Sequence, residues 1–140
     1  LPGGMIEPGE TSEEAAVREL EEELGIASNR VLLLGQLSPL YLFGTNFLIS
    51  PWVAAVWGEV QLRPNPAEVQ EMLQIPLADL LAPSCRGQHV QQRGSLRFTA
   101  PHFAWQEYKI WGATSMILAE LLAVVGESTA AEEAAGYVAG

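Results

Sequence analysis

The chemistry in this chain is concentrated in one glutamate-rich stretch, GMIEPGETSEEAAVRELEEELGI, residues 4–26. Within it Glu19, Glu22 and Glu23 stand at i, i+3 and i+4. On a helix that spacing gathers three carboxylates into one patch. Such a patch repels itself unless positive charge sits on it. Arg18 is adjacent and Lys109 is distant in sequence, and these two are too few to neutralise a full convergence of acids. A divalent ion is the economical solution. Carboxylates in this number suit Mg²⁺ or Mn²⁺, hard cations that take oxygen ligands and bridge to substrate phosphates. Glu13 and Glu14 have a blander role as partners of a helix N-terminus. Glu21 falls elsewhere on the same helix and is expected to be solvated.

The elements that must position this patch are legible on either side of it. Pro8-Gly9 is a turn signal, because proline fixes φ and glycine tolerates unusual angles. Thr11 or Ser12 can cap a helix, and Thr11 with Glu14 has capping-box spacing. Ala16, Val17, Leu20 and Leu24 recur three or four apart, so one stripe faces a core. Gly25 is a natural residue just past a helix end. A helix over residues 12–24 follows, behind an entry loop over 1–10.

The same residues resemble a known family motif. The segment matches the Nudix box, G-x5-E-x7-R-E-U-x-E-E-x-G-U with U aliphatic, at Gly4, Glu10, Arg18, Glu19, Leu20, Glu22, Glu23, Gly25 and Ile26. The resemblance implies a loop–helix–loop that holds metal in hydrolases of nucleoside diphosphates linked to another group. It implies Glu19 and Glu23 as main metal ligands, Glu22 as a third, and a backbone carbonyl at Gly3 or Gly4 beside them. Glu10 with Arg18 resembles the pair that braces loop against helix. The family fold it implies is an α/β/α sandwich around a mixed sheet. Strands usually precede the box, so a chain opening at Leu1 is expected to lack the N-terminal strands.

The whole sequence sets bounds on this reading. Its 140 residues are 49% hydrophobic with a formal charge of -10, fitting one globular domain with a sizeable core. We expect that domain over residues 1–126 and a weakly patterned tail, frayed helix or disordered, over 127–140. An acidic balance argues against a general nucleic-acid or anionic-membrane binder. Cys85 is the only cysteine, so no internal disulfide can form, and a reducing compartment such as the cytoplasm is expected.

Further along, Arg30–Leu37 reads as a strand with Gly35 at a bulge. Ser38–Asn46 is punctuated by Pro39, Gly44 and Asn46, a loop or hairpin whose apolar tip Tyr41-Leu42-Phe43 either buries or lines a pocket. The run from Phe47 to Leu62 is long and apolar, but Pro51, Gly58 and Glu59 argue for strands rather than a membrane span, with a central strand over Trp52–Val60. Residues 75–81 read as a strand end leading to a helical turn. Residues 82–92 are polar and loop-like, 96–98 a short strand, and another strand lies within 102–110. Thr114–Val125 has a broad apolar stripe and is the clearest second helix.

Three places outside the box resemble the coenzyme A pyrophosphatase branch of the family. They are Leu1-Pro2-Gly3-Gly4, then Asn65-Pro66-Ala67-Glu68-Val69 followed by Ile75-Pro76-Leu77-Ala78-Asp79-Leu80, and Ile110-Trp111-Gly112-Ala113-Thr114. That resemblance implies metal-dependent hydrolysis of coenzyme A or its derivatives to 3′,5′-ADP and 4′-phosphopantetheine. It also implies a small-molecule partner, no nucleic acid and no membrane, and homodimerisation to which the tip at residues 41–43 contributes. For the general base, metal-bound hydroxide alone, Glu23 or Glu19 while ligating, and a distal acid all stay open. Many family members supply such an acid from a later loop; Glu68 and Glu71 are the distal candidates, and the Glu-Val match favours Glu68. His89 and His102 each stand alone, without ligand spacing. His89 lies in a polar stretch and is expected to be exposed, whereas His102, near Phe103 and Trp105, is expected to pack. Lys109 either reaches a phosphate or snorkels from a sheet edge. Two other functions stay open: hydrolysis of ADP-ribose or another nucleoside diphosphate derivative, and a non-catalytic Nudix-like nucleotide-binding module. All three box glutamates are retained, which counts against the second.

Overall fold

The structure is a computed structural model that describes the backbone of residues 1–138 and the side-chain environment of residues 1–128. The chain forms two compact units, Leu1–Leu73 and Gln74–Gly140.

The first unit is built on helix α1, Ser12–Leu24. Its start is set by a complete capping box. The Thr11 side chain accepts from the Glu14 N–H at 3.2 Å, and the Glu14 carboxylate accepts from the Thr11 N–H at 2.7 Å. Its end is set by Gly25 in the left-handed region at φ 69°, whose N–H donates to the Glu21 carbonyl at 2.9 Å. Strands β1 (Val31–Gln36) and β4 (Trp52–Val56) pair antiparallel, with a register shift between Leu33 and Gly35 that is the expected bulge. Between them β2 (Leu40–Leu42) and β3 (Phe47–Ile49) form a hairpin. Trp52 Nε1 donates to Ser12 Oγ at 3.2 Å, which ties β4 to the start of α1. Ala15, Ile26 and Leu37 are buried.

Two expectations in this unit are corrected. β4 stops at Val56 rather than Val60. Gly58 turns the backbone to φ 71°, and the Arg30 guanidinium takes the Trp57 carbonyl at 2.7 Å and the Glu59 carbonyl at 3.3 Å. A side-chain cap thus replaces ladder pairing. The apolar tip does not bury its aromatic rings: Phe43 is 90% exposed, edge-on to Tyr41 at 4.8 Å between ring centroids, and only Leu42 of the three is half-buried.

The second unit holds a short helix α2 (Leu77–Leu81), a three-stranded sheet and helix α3 (Ala113–Val138). The sheet runs β5 (Arg86–Arg93), β6 (Leu96–Trp105), β7 (Tyr108–Trp111), antiparallel throughout. Its core packs Leu80, Cys85, Phe103 and Leu122 together, flanked by Ile75, Leu81, Ile110 and Leu118. This unit departs most from expectation. The polar stretch 82–92 is not a loop but largely β5, and the short strand at 96–98 is the start of ten-residue β6. Half-buried and exposed positions alternate along β5, so polarity there reflects a strand with a wet face. α3 runs past Val125 and through Gly126, over an alanine- and glutamate-rich sequence with high helix propensity. The last two residues of the expected tail lie outside the described residues.

The chain is therefore α/β, as expected. Every described strand pairing is antiparallel and falls in one of three separate sheets, where a single mixed sheet was expected. The connections in two of the sheets explain this. β2–β3, β5–β6 and β6–β7 are joined by short turns, which favour antiparallel neighbours, whereas parallel pairing needs a long crossover; β1 and β4 are instead joined through the β2–β3 hairpin.

Candidate active site

The site grows from one face of α1. Glu19 is buried, only 9% exposed, and Glu23 lies one turn further on, half-buried. The entry loop lies across them. The Gly3 N–H donates to Glu23 Oε1 at 3.0 Å. Gly4 passes so close to Glu19 that a Cβ placed there would stand 2.5 Å from its Cδ and nearer still to Oε1. Only a residue without a side chain allows that approach.

Arg18 is the brace. Its Nε and Nη2 fork onto the Glu10 carboxylate at 3.1 and 2.8 Å. Nη2 also donates to the Met5 carbonyl at 3.1 Å, and Nη1 donates to Glu19 at 2.8 Å and Glu22 at 3.0 Å. One guanidinium thus ties the loop at Met5 and Glu10 to two carboxylates of the helix. The Arg18 hydrogen bond holds the Glu10 carboxyl below the usual carboxylate range, helped by the Glu7 N–H, which donates to Glu10 at 2.7 Å. Glu10 and Glu19 in turn push the guanidinium further into its charged form.

A third carboxylate arrives from outside the helix. The last turn of α1 has carbonyls with no partner within the helix. The Asn65 N–H donates to the Glu23 carbonyl and the Arg63 N–H to the Leu24 carbonyl, both at 2.8 Å. This binds the segment after β4 to the end of α1. The segment then turns back through Asn65, and Glu68 is delivered to Glu19 and Glu23. One oxygen from each of the three lies within 4.8 Å of the other two.

The structure therefore brings together Glu19, Glu23 and Glu68 of the residues expected from sequence. Glu22 is exposed and turned to Arg18, outside that group. Gly3 reaches the group through its N–H on Glu23. His89 and His102 are on the second unit's sheet, with Nδ1 of each 3.0 Å apart. His89 is half-buried rather than exposed, held also by Gln91 Nε2 at 2.9 Å. A side chain at Gly87 would collide with the His102 ring, at 2.8 Å from Cε1 and Nε2. Sequence reasoning missed Asn65, although an Asn before a proline is a turn signal. It also missed the histidine pair, which only strand register brings together.

The donor set is chemically specific. Three carboxylates converge, and one oxygen of each is already fixed by a neighbour: Glu19 by Arg18, Glu23 by the Gly3 N–H, Glu68 by Asn65 Nδ2 at 3.2 Å. That leaves a further oxygen on each for a cation, with outer partners orienting the ligands. An all-oxygen anionic set of this kind fits Mg²⁺ or Mn²⁺.

Comparison with known proteins gives the chain its family. The NUDIX domain family model matches residues 1–95. The chain is 37% identical over 124 residues to the uncharacterized Nudix hydrolase NudL of Photorhabdus laumondii, covering 86% of this chain and 65% of that protein. It is 33% identical over 140 residues to the human mitochondrial coenzyme A diphosphatase NUDT8, covering 97% and 59%. It is 32% identical over 132 residues to the mouse peroxisomal coenzyme A diphosphatase NUDT7, covering 89% and 55%. The chain thus spans under two thirds of the length of these relatives. With a family model over residues 1–95, and helix and strand content that accords with the family's α/β/α sandwich, the chain belongs to the Nudix hydrolase family.

Proposed function

We propose that this chain is a pyrophosphohydrolase that uses Mg²⁺ or Mn²⁺ to split the diphosphate bond of a nucleoside diphosphate derivative, and that coenzyme A or its derivatives are the substrate. The observation that carries the reading is the delivery of Glu68, from a separate segment, to Glu19 and Glu23. A solvated acidic helix has no reason to collect a further carboxylate. The relatives named as coenzyme A diphosphatases support the substrate class.

In this reading Glu19, Glu23 and Glu68 hold the ion, with Glu22 and the Gly3 carbonyl as the further ligands implied by the family resemblance. Bound there, a divalent cation supplies positive charge for the phosphoryl oxygens and favours ionisation of the attacking water. The chain's own residues do the rest. Arg18 fixes the Glu19 carboxylate and offsets part of the patch's charge. The entry loop, pinned at Gly3 and at Glu10, sets the distance between loop backbone and helix. In this reading Glu68, the exposed member of the group, takes the proton of the water. The water oxygen bonds to one phosphorus, and the bridging oxygen leaves with the other phosphate. For coenzyme A the products are 3′,5′-ADP and 4′-phosphopantetheine.

Three further points accompany this. Among the described residues no helix is long and apolar enough to cross a membrane. The buried, unbridged Cys85 thiol suits a reducing compartment such as the cytoplasm, and the uncharged β2–β3 hairpin, with Phe43, Phe47 and Leu48 exposed, offers a surface for a homodimer.

The test is hydrolysis of coenzyme A, ADP-ribose and NADH with Mg²⁺ and then Mn²⁺, products identified by mass, with Glu23→Gln as control. Coenzyme A cleavage that disappears in the variant is expected. Preference for ADP-ribose would keep the metal site and discard the substrate. No metal-dependent turnover of any of them would favour a nucleotide-binding module.

A further inference from the structure

We infer that Asn65 is the positioning residue that holds Glu68 in the carboxylate group, an inference that rests on Glu19, Glu23 and Glu68 being the metal-binding set. Every polar atom of Asn65 is engaged. Its N–H donates to the Glu23 carbonyl at 2.8 Å. Its carbonyl accepts from the Glu68 N–H at 3.1 Å and the Val69 N–H at 2.8 Å. Its side-chain Oδ1 accepts from the Ala67 N–H at 3.1 Å, and Nδ2 donates to Glu68 Oε1 at 3.2 Å.

These contacts divide into two tasks. The backbone pair and Oδ1 shape the turn, an Asx turn in which the side chain mimics a backbone acceptor. Pro66 supports it by fixing its own φ and restricting Asn65 to extended conformations. The Nδ2 donor does something different. It fixes one oxygen of the Glu68 carboxylate while the Asn65 backbone is tied to Glu23, itself a member of the group. Asn65 therefore connects two of the three carboxylates, one through its backbone and one through its amide. Glu68 is exposed and sits on a loop, so without that donor its side chain has free rotamers and loses its fixed place. Glu19 and Glu23 already have donors of their own on Oε1, in Arg18 and Gly3. Asn65 gives the third carboxylate its equivalent.

The chemistry demands a residue that accepts and donates from one short side chain. Serine keeps an acceptor for the Ala67 N–H but does not reach Glu68. Asn65→Ser thus separates turn shape from carboxylate positioning without adding charge. The experiment measures Mn²⁺ affinity of the full chain by electron paramagnetic resonance, well below each variant's thermal midpoint. The variants are Asn65→Ser, Glu68→Gln, the two combined, and Glu19→Gln as reference.

Loss of an outer partner typically weakens metal affinity by about 10-fold or more, and that is the loss expected for Asn65→Ser. The double variant should bind no more weakly than Glu68→Gln alone, because the amide acts only through Glu68. A full Asn65→Ser loss on top of Glu68→Gln would show that Asn65 merely supports the fold, and would overturn the inference. Unchanged affinity in Asn65→Ser, with Glu68→Gln weakened, would overturn it while leaving the three-carboxylate site intact. Unchanged affinity in Glu68→Gln and Glu19→Gln alike would remove the site reading and the inference with it.

Discussion

Gly4→Ala isolates the close approach on which the site depends. The added Cβ would stand 2.5 Å from Glu19 Cδ and 2.9 Å from Oε2, where real Cβ contacts essentially never fall below 3.0 Å. Something has to move. Gly4 is in an exposed loop, but that loop is pinned on either side, by Gly3 on Glu23 and by Arg18 on the Met5 carbonyl. Glu19 is buried and held by Arg18 at 2.8 Å. Relief to ordinary contact with the nearest atom, Glu19 Oε1, requires a relative shift of more than about 1 Å, and a misplacement of about 1 Å near a reacting centre already costs about 100-fold in rate. Forcing the Glu19 side chain off its rotamer adds only about 0.5–1.5 kcal/mol, so the fold survives. The assay is metal-dependent hydrolysis of coenzyme A beside Mn²⁺ affinity and thermal unfolding. We expect activity and affinity to fall together while the melting temperature drops by a few degrees at most. Wild-type activity and affinity in a folded Gly4→Ala protein would refute the claim that Gly4 fixes Glu19 at a working site.

Other expectations follow from the same geometry. Thr11→Ala removes the cap that accepts the Glu14 N–H and should destabilise the protein by about 1 kcal/mol in denaturant titration. Mn²⁺ at about 100 times its Kd should raise the unfolding free energy by about 2.7 kcal/mol, a gain that chelation reverses and Glu23→Gln abolishes. Burial, then the charges of His89 and Lys109, lower the His102 pKa beneath its ordinary 6.5, so the unfolded chain binds the proton first. Stability from this residue is therefore complete above 6.5 and lost as pH falls from there through the folded value, and thermal midpoints of wild type and His102→Gln should show different slopes in that window.

The elements that sequence revealed best are those whose signals are local. α1 combines a capping box, a 3.6-residue apolar stripe and a terminal glycine within one short window, and each points to the same boundaries. β5 was hidden because its usual signal, apolar alternation, is absent on a strand with a wet face: Gln88, Gln92 and Arg93 are exposed, and the inward positions are Gly87, His89 and Gln91. The available clue was Gly94-Ser95, a two-residue hairpin turn with Gly94 at φ 62°. The end of β4 was misplaced for a similar reason, since the Arg30 cap acts from 27 residues away.

The site divides along the same line. Glu19 and Glu23 are neighbours by helical geometry alone, so their spacing suffices. Glu68 reaches them only because two N–H groups, at Arg63 and Asn65, satisfy the open carbonyls at the end of α1. Any backbone N–H could serve those carbonyls, so no residue type marks the contact in the sequence. What does leave a mark is the residue that must do more than donate an N–H. Among the described residues Asn65 alone anchors the segment, shapes the turn and reaches the carboxylate at once. Helical spacing therefore foretells the two glutamates that a metal would find on α1, and the third depends on a turn whose side chain completes the arrangement.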